Sequence, residues 1–228
     1  MGYRSTFAAL FFLIPLFPDL LNAATWDEGK FVFFDATYES VFGMWSVAFI
    51  EVPFFILCLL FSQDFFLNSA VRVRFGSNQK FWCQWLKVML LESAAYVIYL
   101  YLLLFLRLAV AGQWSGMRGQ RTFLLQGFIL QVLTFLLMDI LFCAITFIGR
   151  NSVLGAAVVY AFVLLDYVVS STKALIDLKF FLKTICVAPP FMDDFLLELL
   201  LLVGLTVGLF LLLPVMSDHV DSLKKEVS

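Results

Sequence analysis

Long apolar stretches separated by short polar ones run along the whole chain. Most are close to the twenty residues or so that a helix needs to cross the hydrocarbon core of a bilayer. The pattern therefore predicts an all-α integral membrane protein, with six transmembrane helices in a single transmembrane domain over residues 1–228. The predicted spans are approximately residues 6–24, 41–61, 88–111, 123–148, 152–171 and 195–215.

The first of these stretches, Thr6–Ala24, is open to two interpretations. Arg4 precedes it, so it has the layout of a signal peptide that ends near residues 21–23. It is also long enough for a membrane span. We expect a span, bent near Pro15 and Pro18 because proline distorts a helix.

Composition supports the membrane assignment. Hydrophobic residues make up 63% of the chain and charged residues 14%, and the mean hydropathy is +0.98. A soluble domain would need more charged side chains to cover its surface. The net charge of −2 also argues against a nucleic-acid partner, because binding to phosphates requires clustered Lys and Arg. The expected surroundings are membrane lipid.

The longest charged interruption between spans is Ser62–Lys87. Its apolar residues recur at helical spacing up to the sequence at residues 76–78, Gly-Ser-Asn, which breaks the helix and offers caps for the next one. We expect a short amphipathic helix and then a turn at the membrane surface. Phe81, Trp82 and Trp85 are then predicted to lie at the boundary between headgroups and lipid tails.

Two further connections have distinct patterns. Only Gly149, Arg150 and Asn151 separate the fourth and fifth spans, which predicts a tight antiparallel hairpin. Thr172–Asp194 alternates leucines with charged residues before it reaches two prolines. That pattern is typical of a helix that lies on the membrane surface or dips into it, rather than crossing it.

An even number of spans places both termini on one side of the membrane. Counting Lys and Arg gives eight on the side of the termini and six on the other side. Since positive residues favour the cytoplasmic side, we expect a multi-pass protein of the cell (cytoplasmic) membrane with cytoplasmic termini.

Several ionisable residues fall inside the predicted spans. A charge inside the bilayer costs a few kcal/mol even on the lenient insertion scale, so such groups face a cavity, a partner or the bundle interior. Five of the six are acidic, which fits a path for a cationic substrate or a proton relay. The alternative is structural: the residues near span ends reach water and the others bond to their neighbours. The six are Glu51, Glu92, Arg107, Asp139, Asp166 and Glu198, of which Glu51, Asp139 and Asp166 are the transport-path candidates.

Catalytic and metal-binding motifs are missing from the sequence. The one histidine, His219, is in the polar tail, so we expect neither a His-based catalytic centre nor a metal site. There is no G-x-x-x-x-G-K-[ST] motif and no soluble segment long enough for a nucleotide-binding domain. The chain is therefore expected to have no cofactor of its own and no enzymatic activity.

Small residues four apart occur in two spans, at Gly204 and Gly208 and at Ala157 and Ala161. Such spacings allow helices to approach closely. Because they are frequent in membrane helices, we expect packing within the subunit rather than a dimer seam.

Together these features resemble the small permease subunits of ABC-2-type transporters, the type V ABC exporters, especially those of bacterial peptide and lantibiotic export and immunity systems. The resemblance covers most of the chain and rests on architecture: six spans, cytoplasmic termini, the basic element at Asp64–Lys80 and the amphipathic segment before the sixth span. In that family the first element is a coupling helix that docks on the ATPase, and the second packs on the outer side. The chain departs from larger relatives in having only Met1–Thr6 before its first span.

The resemblance implies a docking surface in the basic element. Aromatic and Arg side chains provide much of the binding energy in well-packed protein interfaces. The alternative is an interfacial helix whose phenylalanines enter the lipid boundary while the arginines meet anionic headgroups. The candidate docking residues are Asp64, Phe65, Phe66, Arg72, Arg74 and Phe75.

The resemblance also implies a function, namely export of a peptide or other amphipathic molecule. Such a permease pairs with a second copy or a similar chain, as a homodimer or heterodimer, and a separate ABC ATPase subunit binds ATP and Mg²⁺. Two alternatives stay open: a substrate-binding membrane subunit of a vitamin importer, and a membrane sensor or immunity protein that transports nothing.

Overall fold

The computed structural model of the chain describes residues 38, 41–63, 78–110, 120–171, 181–186 and 195–227. Within these residues the secondary structure is helical, without strands. We number the helices in chain order. α1 runs through Met44–Ser46, Val47–Glu51 and Val52–Gln63; α2 covers Asn78–Val110, α3 Arg121–Gly149, α4 Ser152–Ser171, α5 Phe181–Ile185 and α6 Phe195–Val227.

Five of the described helices are long and apolar enough to cross a membrane, and they correspond to the second to sixth predicted spans. The predicted first span, residues 6–24, lies outside the described residues. α2 begins at Asn78, directly after the predicted helix break and ten residues before the predicted start of the span. α6 continues past Pro214 to Val227, so the residues predicted as a short polar tail are helical up to that point.

α3 is the central helix of the bundle. It packs against α2, α4 and α6. In its most apolar stretch 72% of the residues are buried, whereas in that of α6 only 17% are. The outward faces of α4 and α6 are rich in Val and Leu side chains. Since exposed apolar side chains are stable in lipid but not in water, these faces are suited to the hydrocarbon core of a membrane.

α2 runs antiparallel to both α1 and α3. Ring contacts fix the register, because residue numbers that rise along α2 meet numbers that fall along the other two helices. Phe42, just before α1, meets Tyr101, and Phe55 of α1 meets Tyr96, with ring centroids 5.4 and 5.0 Å apart. On α3 the pairs are Trp85 with Phe147 at 5.5 Å, Tyr96 with Phe135 at 5.0 Å and Tyr101 with Phe128 at 5.5 Å.

An aromatic cluster ties three helices together at the end of the bundle where α2 begins. Trp82 stacks on Trp85 at 5.1 Å and contacts Phe147 of α3 and Phe210 of α6. Phe81, Trp82 and Trp85 are almost fully buried. The prediction that these rings lie at the lipid boundary is therefore wrong. The reason is geometric: a helix that is continuous from Asn78 carries all three on the face that packs against the bundle.

The predicted hairpin between the fourth and fifth spans is confirmed. Arg150 has a left-handed backbone, with φ of 53°, and ends α3. The side chain of Asn151 then accepts a hydrogen bond from the main-chain N–H of Val153 at 2.9 Å, which caps the start of α4. Gly155 lets the two helices approach, because a Cβ there would meet the Thr146 hydroxyl and would lie 3.0 Å from the carbonyl oxygen of Phe142.

Neither pair of small residues packs within the described part of the subunit. A Cβ added at Gly204 or Gly208 would have nothing within 4 Å among the described residues, and Ala157 and Ala161 are exposed. Among the described residues, the expectation of packing within the subunit is therefore not met. α4 and α6 turn other residues toward α3, such as Val159 and Leu202, which are completely buried.

Candidate functional site: a polar band inside the bundle

The three transport-path candidates are all buried. Glu51, Asp139 and Asp166 have 3%, 0% and 8% of their surface exposed. They lie on three different helices, α1, α3 and α4. The six candidate docking residues, Asp64, Phe65, Phe66, Arg72, Arg74 and Phe75, lie outside the described residues.

The short helix α5 packs against the middle of α3. The side-chain amide of Gln131 donates to the carbonyl oxygen of Ile185 at 2.8 Å. Gln131 is ten residues after Arg121, so it lies about 15 Å along the axis of α3. The described part of the predicted segment Thr172–Asp194, residues 181–186, therefore packs inside the bundle at about the middle of α3. Irregular backbone is tolerated at such depth where protein surrounds it.

A pair of threonines gives α5 a second attachment to α3. The hydroxyl groups of Thr134 and Thr184 are 2.8 Å apart. Thr134 also lies 2.8 Å from the carbonyl oxygen of Leu130 and donates its single proton there. Thr184 is therefore the donor between the two threonines. Thr134 and Thr184 are both buried, so this attachment lies inside the bundle.

Asp166 holds the other end of α5. Its Oδ2 atom accepts a hydrogen bond from the main-chain N–H of Leu182 at 2.7 Å. This N–H lies in the first turn of α5, where a helix has no partner of its own for its donors. A carboxyl oxygen satisfies that donor in the interior of the bundle. Asp166 thus connects α4 to α5.

Two tyrosines, Tyr38 and Tyr101, lie near Gln131 in the bundle. Tyr101 donates from its hydroxyl to the carbonyl oxygen of Leu124 at 2.9 Å, and Tyr38 Oη lies 3.5 Å from Gln131 Nε2. Both hydroxyls lie over Gly127, where an added Cβ would come within 3.2 Å of Tyr101 and 3.6 Å of Tyr38. Burial, with a smaller contribution from Cys186, raises the pKa of Tyr38 well above its ordinary value. Its hydroxyl therefore stays protonated at physiological pH.

Glu51 lies in a widened turn of α1. Val47–Glu51 is π-helical, and Val52 donates its N–H to the carbonyl oxygen of Val47, five residues back. π-Helical turns are rare in proteins, and those that occur are often found at functional sites. The hydroxyl of Tyr96 on α2 lies 2.6 Å from the main-chain oxygen of Glu51 and 3.1 Å from its carboxyl Oε2. The Tyr96 ring also packs against Phe135 of α3, at 5.0 Å.

Asp139 lies one turn further along α3 than Phe135. Cys143 donates its S–H to Asp139 Oδ1 at 3.7 Å. The register of α2 and α3 places Ser93 opposite this turn, and Ser93 is completely buried. Its hydroxyl has no hydrogen-bond partner among the described residues.

The three carboxyl groups therefore belong to one band around the middle of α3. Glu51 is level with Phe135, Asp166 is joined to the helix that contacts Gln131 and Thr134, and Asp139 follows within two turns. The described residues contain no group of three or more His, Cys, Asp or Glu side chains placed to hold a metal ion. What the band offers is hydrogen bonding and protonatable carboxyl groups in an apolar bundle.

Sequence reasoning found the carboxyl groups of this band but not their partners. Gln131, Thr134 and Thr184 attach α5, and Tyr96 contacts Glu51. One signal was available: Gln131, Thr134 and Asp139 are polar residues at spacings of three and five within an otherwise apolar span. The threonine and tyrosine partners carry no charge, so a search for intramembrane charges passes over them.

No family model matches the chain, and neither a curated protein nor a solved structure matches it. The function is therefore argued from the arrangement of the chain's own residues.

Proposed function

We propose that the chain is the membrane-spanning permease subunit of an ATP-driven transporter of the ABC-2 type. It pairs with a second copy or a similar chain in the cytoplasmic membrane and exports a peptide or other amphipathic molecule. A separate ATPase subunit binds ATP and Mg²⁺ and docks on residues 64–75, with Arg72 and Arg74 at the contact.

The observation that carries this proposal is the seating of α5 in the polar band. In an apolar bundle, polar side chains are retained where they pair with one another or line a route for polar cargo. Gln131 and Thr134 on α3 and Asp166 on α4 together bind a single short helix. This short helix is held by a few hydrogen bonds, and its departure would expose these polar groups. We interpret the arrangement as the closed state of a transport route.

The path of the chain supports coupling to an ATPase. α1 ends and α2 begins at the same end of the bundle, so residues 64–77 connect the two helices that carry Glu51 and Tyr96. A partner that pulls on this connection shifts α1 against α2. The aromatic cluster of Phe81, Trp82 and Trp85 passes that movement on to α3 and α6. Transport of this kind is a change between two packings of the same helices.

The test is copurification from native membranes. We expect the unaltered chain to bring down an ATPase, and Arg72→Glu combined with Arg74→Glu to lose both that ATPase and its stimulated ATP hydrolysis. Arg150→Glu is the matched control: Arg150 is at the same end of the bundle but outside the docking residues. Retention of a fully active ATPase by the double variant would contradict the docking assignment. A stable chain that binds a small molecule or gives protection without any ATPase would contradict the transporter class.

A further inference from the structure

Tyr96 approaches two oxygen atoms of Glu51, although a phenol has only one proton to donate. Its hydroxyl oxygen is 2.6 Å from the main-chain carbonyl oxygen and 3.1 Å from the carboxyl Oε2. The shorter contact falls inside the usual range for an O–H···O hydrogen bond, and the longer one lies just outside it. The phenol proton therefore belongs to the main-chain carbonyl.

This assignment leaves the second contact without a proton from Tyr96. An ionised carboxyl group only accepts hydrogen bonds, so its oxygen would face the lone pairs of the phenol oxygen at 3.1 Å. A protonated carboxyl group has an O–H to donate, and the phenol oxygen can accept it. We propose that Glu51 is a proton-binding site, whose carboxyl O–H donates to Tyr96 while Tyr96 donates to the main chain of Glu51.

The side chains around Glu51 are mostly apolar. Glu51 itself is 3% exposed, and Phe54 and Phe55 beside it and Phe135 across from it are buried. Burying a neutral, hydrogen-bonded carboxyl group costs much less free energy than burying a charged one. Tyr99 and Cys58 lie within electrostatic reach of this pair. Other titratable or charged groups on the surrounding helices include Glu92 and Arg107 on α2, Asp139 and Cys143 on α3, Asp166 and Tyr167 on α4, and Cys186 after α5.

The site joins two helices whose relative movement would change it. Glu51 is on α1 and Tyr96 is on α2, and the proposed pair of hydrogen bonds exists only while these helices keep their present register. One proton passes from a hydronium ion of the solvent to the carboxylate: the carboxyl O–H bond forms, an O–H bond of the hydronium breaks, and a water molecule is left. A shift of α1 against α2 would remove the Tyr96 oxygen and weaken the hold on the proton. The ligand of this site is therefore a proton bound in one packing of the helices.

Infrared difference spectroscopy of the purified protein, in H₂O and in D₂O, tests this proposal. A protonated carboxyl group has a C=O stretching band above the amide bands, and the band shifts on deuteration. We expect Glu51→Gln to remove one such band, since Gln keeps the size of Glu and a donor for Tyr96. Tyr96→Phe leaves Glu51 in place and should shift the same band, because the hydrogen bond from the carboxyl group is lost.

Glu92→Gln is the matched control, since Glu92 is a half-buried carboxyl group on the same helix as Tyr96. It should leave the Tyr96-sensitive band unchanged. Carboxyl bands that are identical in the unaltered protein and in Glu51→Gln would overturn the proposal. The proposal would also be overturned if the carboxyl band were not shifted in the Tyr96→Phe variant. In that variant the Glu51 side chain itself is unaltered. The measurement requires neither an ATPase nor a cargo, so its failure and the failure of the transport proposal are distinguishable.

Discussion

The Oδ2 atom of Asp166 lies 2.7 Å from the main-chain nitrogen of Leu182 and satisfies a donor in the first turn of α5. The two residues are sixteen positions apart along the chain, so this hydrogen bond joins α4 directly to α5 across the segment that connects them. Among the described residues, Gln131 and Thr134 also attach α5 to the bundle. The position of α5 in the bundle is therefore sensitive to single side chains.

Removal of the Asp166 carboxyl group should loosen α5. Asp166→Ala leaves the buried N–H of Leu182 unsatisfied, at a cost of about 1–3 kcal/mol. Each 1.4 kcal/mol or so is tenfold in an equilibrium, so the displaced fraction of α5 should rise by about fivefold to a hundredfold. The measurement is the rate at which a thiol reagent labels Cys186, in a background where Cys58, Cys83 and Cys143 are replaced. Asp166→Asn keeps an acceptor oxygen and should label more slowly than the Ala variant; equal rates in all three proteins would contradict the attachment.

The α3–α4 hairpin should not tolerate a side chain at Gly155. An added Cβ would collide with the Thr146 hydroxyl and press on the Phe142 carbonyl, which belongs to the backbone and cannot turn away. Overpacking of this kind costs about 1–3 kcal/mol, which outweighs the better helix propensity of Ala. We expect Gly155→Ala to lower the midpoint of thermal unfolding in detergent. Gly204→Ala, with nothing within 4 Å among the described residues, is the control and should unfold like the unaltered protein. If both variants unfold together, the close approach at Gly155 is incorrect.

Arg150 occupies a backbone conformation that glycine adopts more readily. Its φ of 53° places it in the left-handed region, where the Cβ of other residues costs about 1 kcal/mol or more. Arg150→Gly should therefore raise the midpoint of thermal unfolding. Arg150→Ala removes the same charge but keeps the Cβ, so it should give no such gain. A fall in the midpoint for the Gly variant would show that the Arg side chain itself stabilises the hairpin.

The sequence predicts the five long apolar helices that the structure describes but not their internal partners, for physical reasons. A stretch such as residues 123–148 must be a helix because no other structure satisfies its backbone in lipid, and α3 matches it within two residues at either end. Burial inside the bundle is different, because lipid and protein interior are equally apolar. Leu202 and Leu200 are identical side chains on the same helix, yet the first is buried and the second is exposed.

The residues of the polar band also divide into those that the sequence predicts and those that it does not. Glu51, Asp139 and Asp166 were identified because a charge in a span is conspicuous. The sequence does not predict the position of α5. That position depends on which neighbours Gln131 and Thr134 face, and this is decided by tertiary packing. The lipid-boundary position predicted for Trp85 failed for the same reason: its helix starts at Asn78, and the ring then faces Phe147.

Membrane topology follows from the permease proposal and has its own measurement. We expect cysteines placed at Ser69 and Ser222 to be protected in whole cells from a thiol reagent that does not cross membranes, because the proposal assigns both positions to the cytoplasmic side. A cysteine at Gly119 should react. Both sets should react in opened cells, which controls for accessibility. Labelling at Ser69 or Ser222 in whole cells would contradict cytoplasmic termini and a cytoplasmic docking segment.

A reversible lock on α5 tests most directly whether ATP hydrolysis drives this chain. Thr134 and Thr184 have hydroxyl oxygens 2.8 Å apart, so cysteines at both positions are placed to form a disulfide that fixes α5 to α3. The measurement is ATP hydrolysis by the transporter assembled from Thr134→Cys/Thr184→Cys and its ATPase, with each single substitution as a control. We expect oxidation to suppress stimulated hydrolysis in the double variant alone and reduction to restore it. Unchanged hydrolysis in a fully crosslinked transporter would contradict the account.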